Sequence, residues 1–324
     1  MNLDRHRGEL LAIERSWRDG TMSGINKYLG EIKDQAEEDL TTSVTVEQAS
    51  GFPTPSKLHL EKPVWKKIDD AVVVATDLKG STKISYSKQD HVGARVYQAS
   101  TGNCARIFQR FDAQFVDIQG DGLFGIFHGE LAVERAIACA FTLKSFSARD
   151  LADLIDEHLG GNVPEGFETG LKIGVDAGTI LAKRIGVRGE HNEPVWAGKP
   201  VNYATKCAKA AEAHEIILTD RYFKLVGDND YVRYSCGCDV VRQGDEIVRV
   251  IGTNPGPLWS KKEVETLGDH SSCKNFPGQS SWCVHHGDTF CAAIETGETE
   301  REDLAGFHLP ELADRGEDGQ AQAA

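Results

Sequence analysis

Three absences narrow this 324-residue chain before any motif is considered. No apolar run approaches the roughly 20 residues that a membrane-spanning helix needs. The N-terminus, Met1-Asn2-Leu3-Asp4-Arg5-His6-Arg7, lacks the apolar core of a signal peptide. Basic residues are in the minority: 36 Lys and Arg stand against 50 Asp and Glu, a formal charge of −14. That balance argues against nucleic-acid binding, because phosphate backbones call for a basic surface. It leaves nucleotide substrates open, since bound cations can supply positive charge locally. The expectation is a soluble, cytoplasmic protein with neither a membrane nor a nucleic-acid partner. Its eight cysteines are then expected as reduced thiols or metal ligands, not disulfides. Core material is ample, at 40% apolar residues, enough for one large domain or two modest ones.

The stretch Asp117-Ile118-Gln119-Gly120-Asp121-Gly122-Leu123-Phe124-Gly125-Ile126-Phe127 predicts two short strands and a tight turn. Phe115, Asp117 and Gln119 alternate with Val116 and Ile118, the period of a strand. Gly120 and Gly122 flank Asp121 and permit turn geometry. The carboxylate at the tip reads either as an ordinary hairpin residue or as a metal ligand. A second stretch, Asp70-Ala71-Val72-Val73-Val74-Ala75-Thr76-Asp77, is the apolar run of a buried central strand ending in an acid. Leu78-Lys79-Gly80-Ser81-Thr82 then leads into a helical pattern, where free backbone N–H groups attract phosphate. Asp77 alone reads equally as a cap of that helix. Together, one carboxylate at a strand end and one on a hairpin suit a pair of divalent cations, which neutralise a triphosphate and activate a hydroxyl.

Taken in order, residues 1–63 form an N-terminal helical segment and linker. Leu10, Leu11, Ile13 and Trp17, then Ile25, Tyr28, Leu29 and Ile32, recur at near-helical spacing, and such stripes are expected to pack on a core more often than on a partner. Residues 41–64 are rich in Thr, Ser and Pro and predict an extended connector. The core domain spans 64–252. After the Asp77 strand come a long helix over 91–111, the hairpin, and a second long helix over 131–143. Gly170 to Gly178 predicts a strand ending in a tight turn, with 179–185 as its hairpin partner. This order suits an α+β sheet with helices over one face. Residues 253–293 carry a Cys/His cluster. Cys273, Cys283, His285 and Cys291 fit a tetrahedral zinc site or, equally, reduced thiols beside surface histidines; their spacing matches no regular finger. Residues 294–324 are acidic, poor in apolar residues and expected to be largely disordered.

Three motifs together carry a resemblance. Asp-Leu-Lys-Gly-Ser-Thr at 77–82, Gln-Gly-Asp-Gly-Leu-Phe at 119–124 and Val-Asn-Tyr-Ala-Thr-Lys at 201–206 occur in the order and rough spacing of the class III nucleotide cyclases. The resemblance covers about residues 70–252. It implies a ferredoxin-like core, a homodimer with its sites between subunits, and two Mn²⁺ or Mg²⁺ ions on Asp77, the Leu78 carbonyl and Asp121. Gly80, Ser81 and Thr82 would lie on the phosphate side. Asn202 would orient the ribose from the other subunit, and Lys206 would meet phosphate where the family has Arg. A lone Lys206 reads also as a solvated helix lysine. Arg188 matches a further basic position.

The base-reading positions depart from the purine pattern. Asp117 replaces the Lys of adenylate cyclases and Val195 replaces their Asp. A carboxylate accepts hydrogen bonds and, ionised, gives none to adenine N1. In this the chain resembles the pyrimidine cyclases of the bacterial Pycsar antiphage defence system. That likeness implies conversion of UTP to 3′,5′-cyclic UMP, a second messenger read by a separate effector protein. The neighbouring readings are a cytidylate cyclase making cyclic CMP, a guanylate or adenylate cyclase, and a non-catalytic cyclase-like nucleotide-binding dimer.

Overall fold

The computed structural model describes residues 24–84, 90–163, 165–187, 191–243, 246–250, 252, 254–270, 272–276 and 282–307. In chain order it runs α1 (Ile25–Thr41), β1 (Thr45–Gln48), β2 (Val64–Lys79), α2 (Asp90–Arg110), β3 (Phe115–Gln119), β4 (Gly122–Phe127), α3 (Ala132–Phe146), α4 (Ala152–Leu159) and β5 (Gly170–Gly186). Then come β6 (Asn192–Ala197), α5 (Lys199–Ala210), β7 (Glu215–Thr219), α6 (Asp220–Val226), β8 (Asp239–Gln243), β9 (Glu246–Val250), β10 (Ser260–Glu263), β11 (Ser272–Phe276) and α7 (Gly287–Glu295). No helix among the described residues is long and apolar enough to cross a membrane.

β2 is the axis. From Ala71 to Ala75 it is buried throughout, which is why its sequence is a continuous apolar run without polar alternation. Val72, Val74 and Leu78 join one hydrophobic cluster, while Val73 and Ala75 join another. β4 and β5 flank β2, both antiparallel to it, and β3 lies outside β4. The spatial order β5-β2-β4-β3 is the ferredoxin-like arrangement of two interleaved βαβ units. The sheet continues past β5 through β7, β11 and β10. The first cluster takes Val96, Cys104 and Phe108 from α2 and Ala136, Ile137 and Ala140 from α3. The second takes Ala204 and Ala208 from α5. Helices therefore cover both faces, not the one face expected: the sheet-facing residues of α5 are small, so it lies close against β5 and β2.

β5 is one strand of 17 residues, where the sequence suggested a hairpin turning at Gly178. It follows β2 along its length, and the pairing shifts register between Ile68 and Ala71, where Asp70 adopts a φ of 54°. The chain bends at this bulge and does not reverse. Asp176, which looked like a turn residue, is fully buried; it accepts from Thr219 Oγ1 at 2.5 Å and from Arg221 Nε at 3.1 Å.

Two expectations at the chain's ends are corrected. α1 buries no residue, and Ile25, Tyr28, Leu29 and Ile32 are all exposed. The expected core packing of that stripe is absent; residues 1–23, with Leu10 to Trp17, lie outside the described residues. Of the tail expected to be disordered, residues 296–307 fold back on the body. Buried Arg301 donates to the Tyr234 and Ser235 carbonyls at 2.9 and 3.1 Å, and its guanidinium lies 4.3 Å from the Phe290 ring centroid. Residues 308–324 are outside the described residues.

Candidate active site

The two aspartates of the sequence motifs come to neighbouring strands at one corner of the sheet. Thr76 pairs with Leu123, and Gln119 pairs with Gly122 across the turn that carries Gly120 and Asp121. Asp77 and Asp121 therefore sit on neighbouring strands, one residue out of register. Gly120 takes a φ of 69°, and a Cβ on Gly122 would stand 3.0 Å from the Thr76 carbonyl oxygen. The two glycines bring the hairpin tip up against β2.

A cationic partner for Asp77 lies 95 residues away in sequence. Lys172 Nζ, on β5, donates to Asp77 Oδ2 at 3.0 Å and to the Lys209 carbonyl at 2.8 Å. It thereby ties the carboxylate to the C-terminal end of α5. Lys79, two residues on along the same face of β2, bridges Glu168 at 3.0 Å and Glu212 at 2.9 Å. These bonds raise the Lys79 pKa and lower that of Glu212. Gly80 is a close approach: at a φ of 84°, its Cβ would lie 2.6 Å from the Glu168 carbonyl oxygen. Ser81 and Thr82 open a single helical turn, Ser81–Ile84, and Thr82 is exposed.

The two positions expected to read the base, Asp117 and Val195, are sequence neighbours of an aromatic contact in the second cluster. Phe115 and Trp196 have ring centroids 4.8 Å apart, and Phe52, from the connector, stacks on Trp196 at 5.1 Å. Asp117 shares a face of β3 with Phe115, and exposed Val195 adjoins Trp196. Gln119, two residues on, donates from Nε2 to Asp117 Oδ2 at 2.7 Å.

α5 holds the third motif. Asn202 is exposed near its start. Lys206 donates to the Thr266 carbonyl at 2.7 Å and lies 5.5 Å from the Tyr203 ring centroid. Lys209, at the Asp77 corner, is seven residues past Asn202, a rise of about 10 Å. Within one chain the structure thus gathers Asp77, Leu78 and Asp121, but holds Asn202 about two helical turns away. Arg188 is outside the described residues. Lys172 had no signal in sequence spacing and appears only through its partner in space, whereas Gln119 shares the strand face of Asp117 two residues away.

The expected Cys/His quartet does not form as drawn. Cys283 lies beside Cys236, Cys238 and His286, their ligand atoms all within 4.8 Å of one another. His285 contributes its backbone N–H, donated to Cys283 Sγ at 3.4 Å, and Cys291 instead faces Glu295 at 3.6 Å. The side chain of Cys273 is outside what is described.

No family model matches the sequence. Among solved structures, the adenylyl cyclase CyaB of P. aeruginosa superposes with a TM-score of 0.45 at 15% identity, over 57% of this chain and 93% of that one. A uridylate cyclase of Micromonospora echinofusca is 39% identical over 261 residues, 80% of this chain and 80% of that protein. A uridylate cyclase of Propioniciclava tarda is 39% identical over 261 residues, 79% of this chain and 76% of that protein. With that identity across four-fifths of its length, the chain belongs to the family of nucleotide cyclases that these two relatives represent.

Proposed function

We propose that two copies of this chain together convert UTP to 3′,5′-cyclic UMP and pyrophosphate, as a second messenger in bacterial antiphage defence read by a separate effector. The observation that supports this most is the 39% identity to two proteins named uridylate cyclase. In the reaction the ribose 3′-oxygen bonds to the α-phosphorus as the bond from that phosphorus to the β-phosphate oxygen breaks. The residues at the corner of the sheet suit hard divalent cations: Asp77 and Asp121 lie on neighbouring strands one residue out of register, and the Lys172 ammonium already serves Asp77 as a cationic partner at 3.0 Å. Held by Asp77, the Leu78 carbonyl and Asp121, two such ions, Mn²⁺ or Mg²⁺, would polarise the 3′-hydroxyl and neutralise the leaving phosphates.

The chain's own residues supply the rest. Gln119 spends one Nε2 proton on Asp117. One amide proton and one carboxylate oxygen remain, a donor–acceptor pair complementary to uracil O4 and N3–H. Val195 adds no charge there. Asn202 orients the ribose, Lys206 turns from Thr266 to the phosphates with Arg188, and the Gly80-Ser81-Thr82 turn borders them. Asn202 stands about two helical turns from the Asp77 corner of its own chain, which favours a site completed by a second copy, two per symmetric dimer.

Mixing tests this. Asp121→Ala and Asn202→Ala chains should each be inactive on UTP, and the mixed sample should regain cyclic UMP formation, because one hybrid site is intact. Failure to complement, with both variants dimeric and folded, would overturn the two-chain site. Full activity of Asp121→Ala alone would overturn the cation assignment.

A further inference from the structure

We infer that Cys236, Cys238, Cys283 and His286 form a closed, structural zinc site that clamps the segment before β8 to the segment before α7. The four side chains come from two segments distant in sequence. Cys236 and Cys238 lie between the Tyr234 bridge and β8, while Cys283 and His286 immediately precede α7. Their ligand atoms all lie within 4.8 Å of one another. Cys238 Sγ is 3.3 Å and Cys283 Sγ 3.8 Å from His286 Nδ1. With metal–sulfur bonds of about 2.3 Å and metal–nitrogen bonds of about 2.0 Å, a tetrahedron has edges of about 3.5–3.8 Å. The observed separations need only small adjustments. Three thiols meet here and none is joined in a disulfide.

The chemistry selects the ion. Three soft sulfur donors and one imidazole suit Zn²⁺, whereas the carboxylates of the cyclase corner suit hard cations. Four protein ligands leave no open position, so the site is structural and not catalytic. His286 binds through Nδ1, the nitrogen nearest both thiols. The backbone N–H of His285, donated to Cys283 Sγ, stabilises a thiolate at that position.

Both segments are fixed independently of the ion. Ser235 Oγ accepts from the backbone N–H of Gly237 at 3.3 Å and of Gly256 at 3.0 Å. Gly237 has a φ of 68° and packs so tightly that a Cβ would lie 2.6 Å from Pro255 N. Arg301 grips the Tyr234 and Ser235 carbonyls. On the other side, Trp282 donates from its backbone to Ser145 Oγ at 2.7 Å and from Nε1 to Thr142 Oγ1 at 2.9 Å, both on α3. A metal here joins a loop following the α6 region to a segment seated on α3, closing an excursion of more than forty residues that includes β8 to β11. Binding free energy at such a site adds directly to folding free energy.

The test is metal analysis of the purified full-length protein in reducing buffer without added metal. Wild type and Cys291→Ser, whose thiol faces Glu295, should each carry about one zinc per chain. Cys238→Ser and His286→Ala should carry almost none. A second measurement needs no variant: cobalt(II) added to metal-stripped wild type should give the intense ligand-field bands of a tetrahedral site together with thiolate charge-transfer bands. Wild type that binds no zinc and gives cobalt bands of octahedral oxygen ligation would overturn the site. So would a Cys236–Cys283 disulfide in peptide maps of the freshly purified protein, or zinc retained in full by Cys238→Ser.

Discussion

Gly174 offers a sharp perturbation of the site from outside it. It lies on β5 directly beneath α5, the helix that carries Asn202 and Lys206. A Cβ there would stand 2.0 Å from the Ala204 carbonyl oxygen, 2.4 Å from Ala208 N and 2.7 Å from Cys207 Cβ. The two nearest are backbone atoms, which cannot swing aside as a flexible side chain would. Ordinary contact begins near 3.4 Å, so Gly174→Ala requires α5 to lift by about 1.4 Å or β5 to bow away. Overpacking of this kind costs about 1–3 kcal/mol, or a fall in Tm of about 1.5–4.5 °C for a chain of this size. A displacement of about 1 Å in a positioning group costs up to about a hundredfold in rate. Thermal unfolding and cyclic UMP formation should therefore both fall. Gly102→Ala on α2, where an added Cβ meets nothing within 4 Å, is the control and should be stabilised by about 1 kcal/mol. If Gly174→Ala melts and turns over like wild type, α5 is not seated on β5 as described, and the placement of Asn202 fails with it.

Other predictions follow from single contacts. Asp176→Ala strands Arg221 beside a buried site and should cost about 3–5 kcal/mol in urea unfolding. Burial lowers the pKa of Lys144, whose ammonium donates to the His214 carbonyl, to about 8. The unfolded chain then binds more protons than the folded one between about 8 and the ordinary lysine value of 10.5. This group makes stability rise with pH across that window, and the rise should flatten in Lys144→Met; an unchanged pH profile would refute it. Asp77→Asn should reduce turnover by about a hundredfold or more, with circular dichroism unchanged.

Much of this was legible in the sequence where local pattern and burial agree. The apolar run of β2 predicts a strand buried on both faces, and Phe115 to Phe127 predict the hairpin that carries Asp121. The helices over 91–111 and 131–143 emerge as Asp90–Arg110 and Ala132–Phe146. Legibility ended where a long-range partner decides the outcome. Asp176-Ala177-Gly178 has the composition of a turn, but Arg221 and Thr219 hold Asp176 inside a continuous strand. The stripe on α1 has the period of a packed helix, yet its apolar residues are exposed. Lys172 lies 95 residues from Asp77, and Cys238 lies 48 residues from His286; no local spacing encodes such meetings.

The most direct test of the central claim is a substrate panel. Purified protein is incubated with ATP, GTP, CTP and UTP in turn, with Mn²⁺, and the products are identified by mass. The account predicts cyclic UMP from UTP as the dominant product. Cyclic AMP or cyclic GMP as the dominant product would contradict the reading of Asp117, Gln119 and Val195. No cyclic product from any of the four would contradict the assignment of this site as a working cyclase centre.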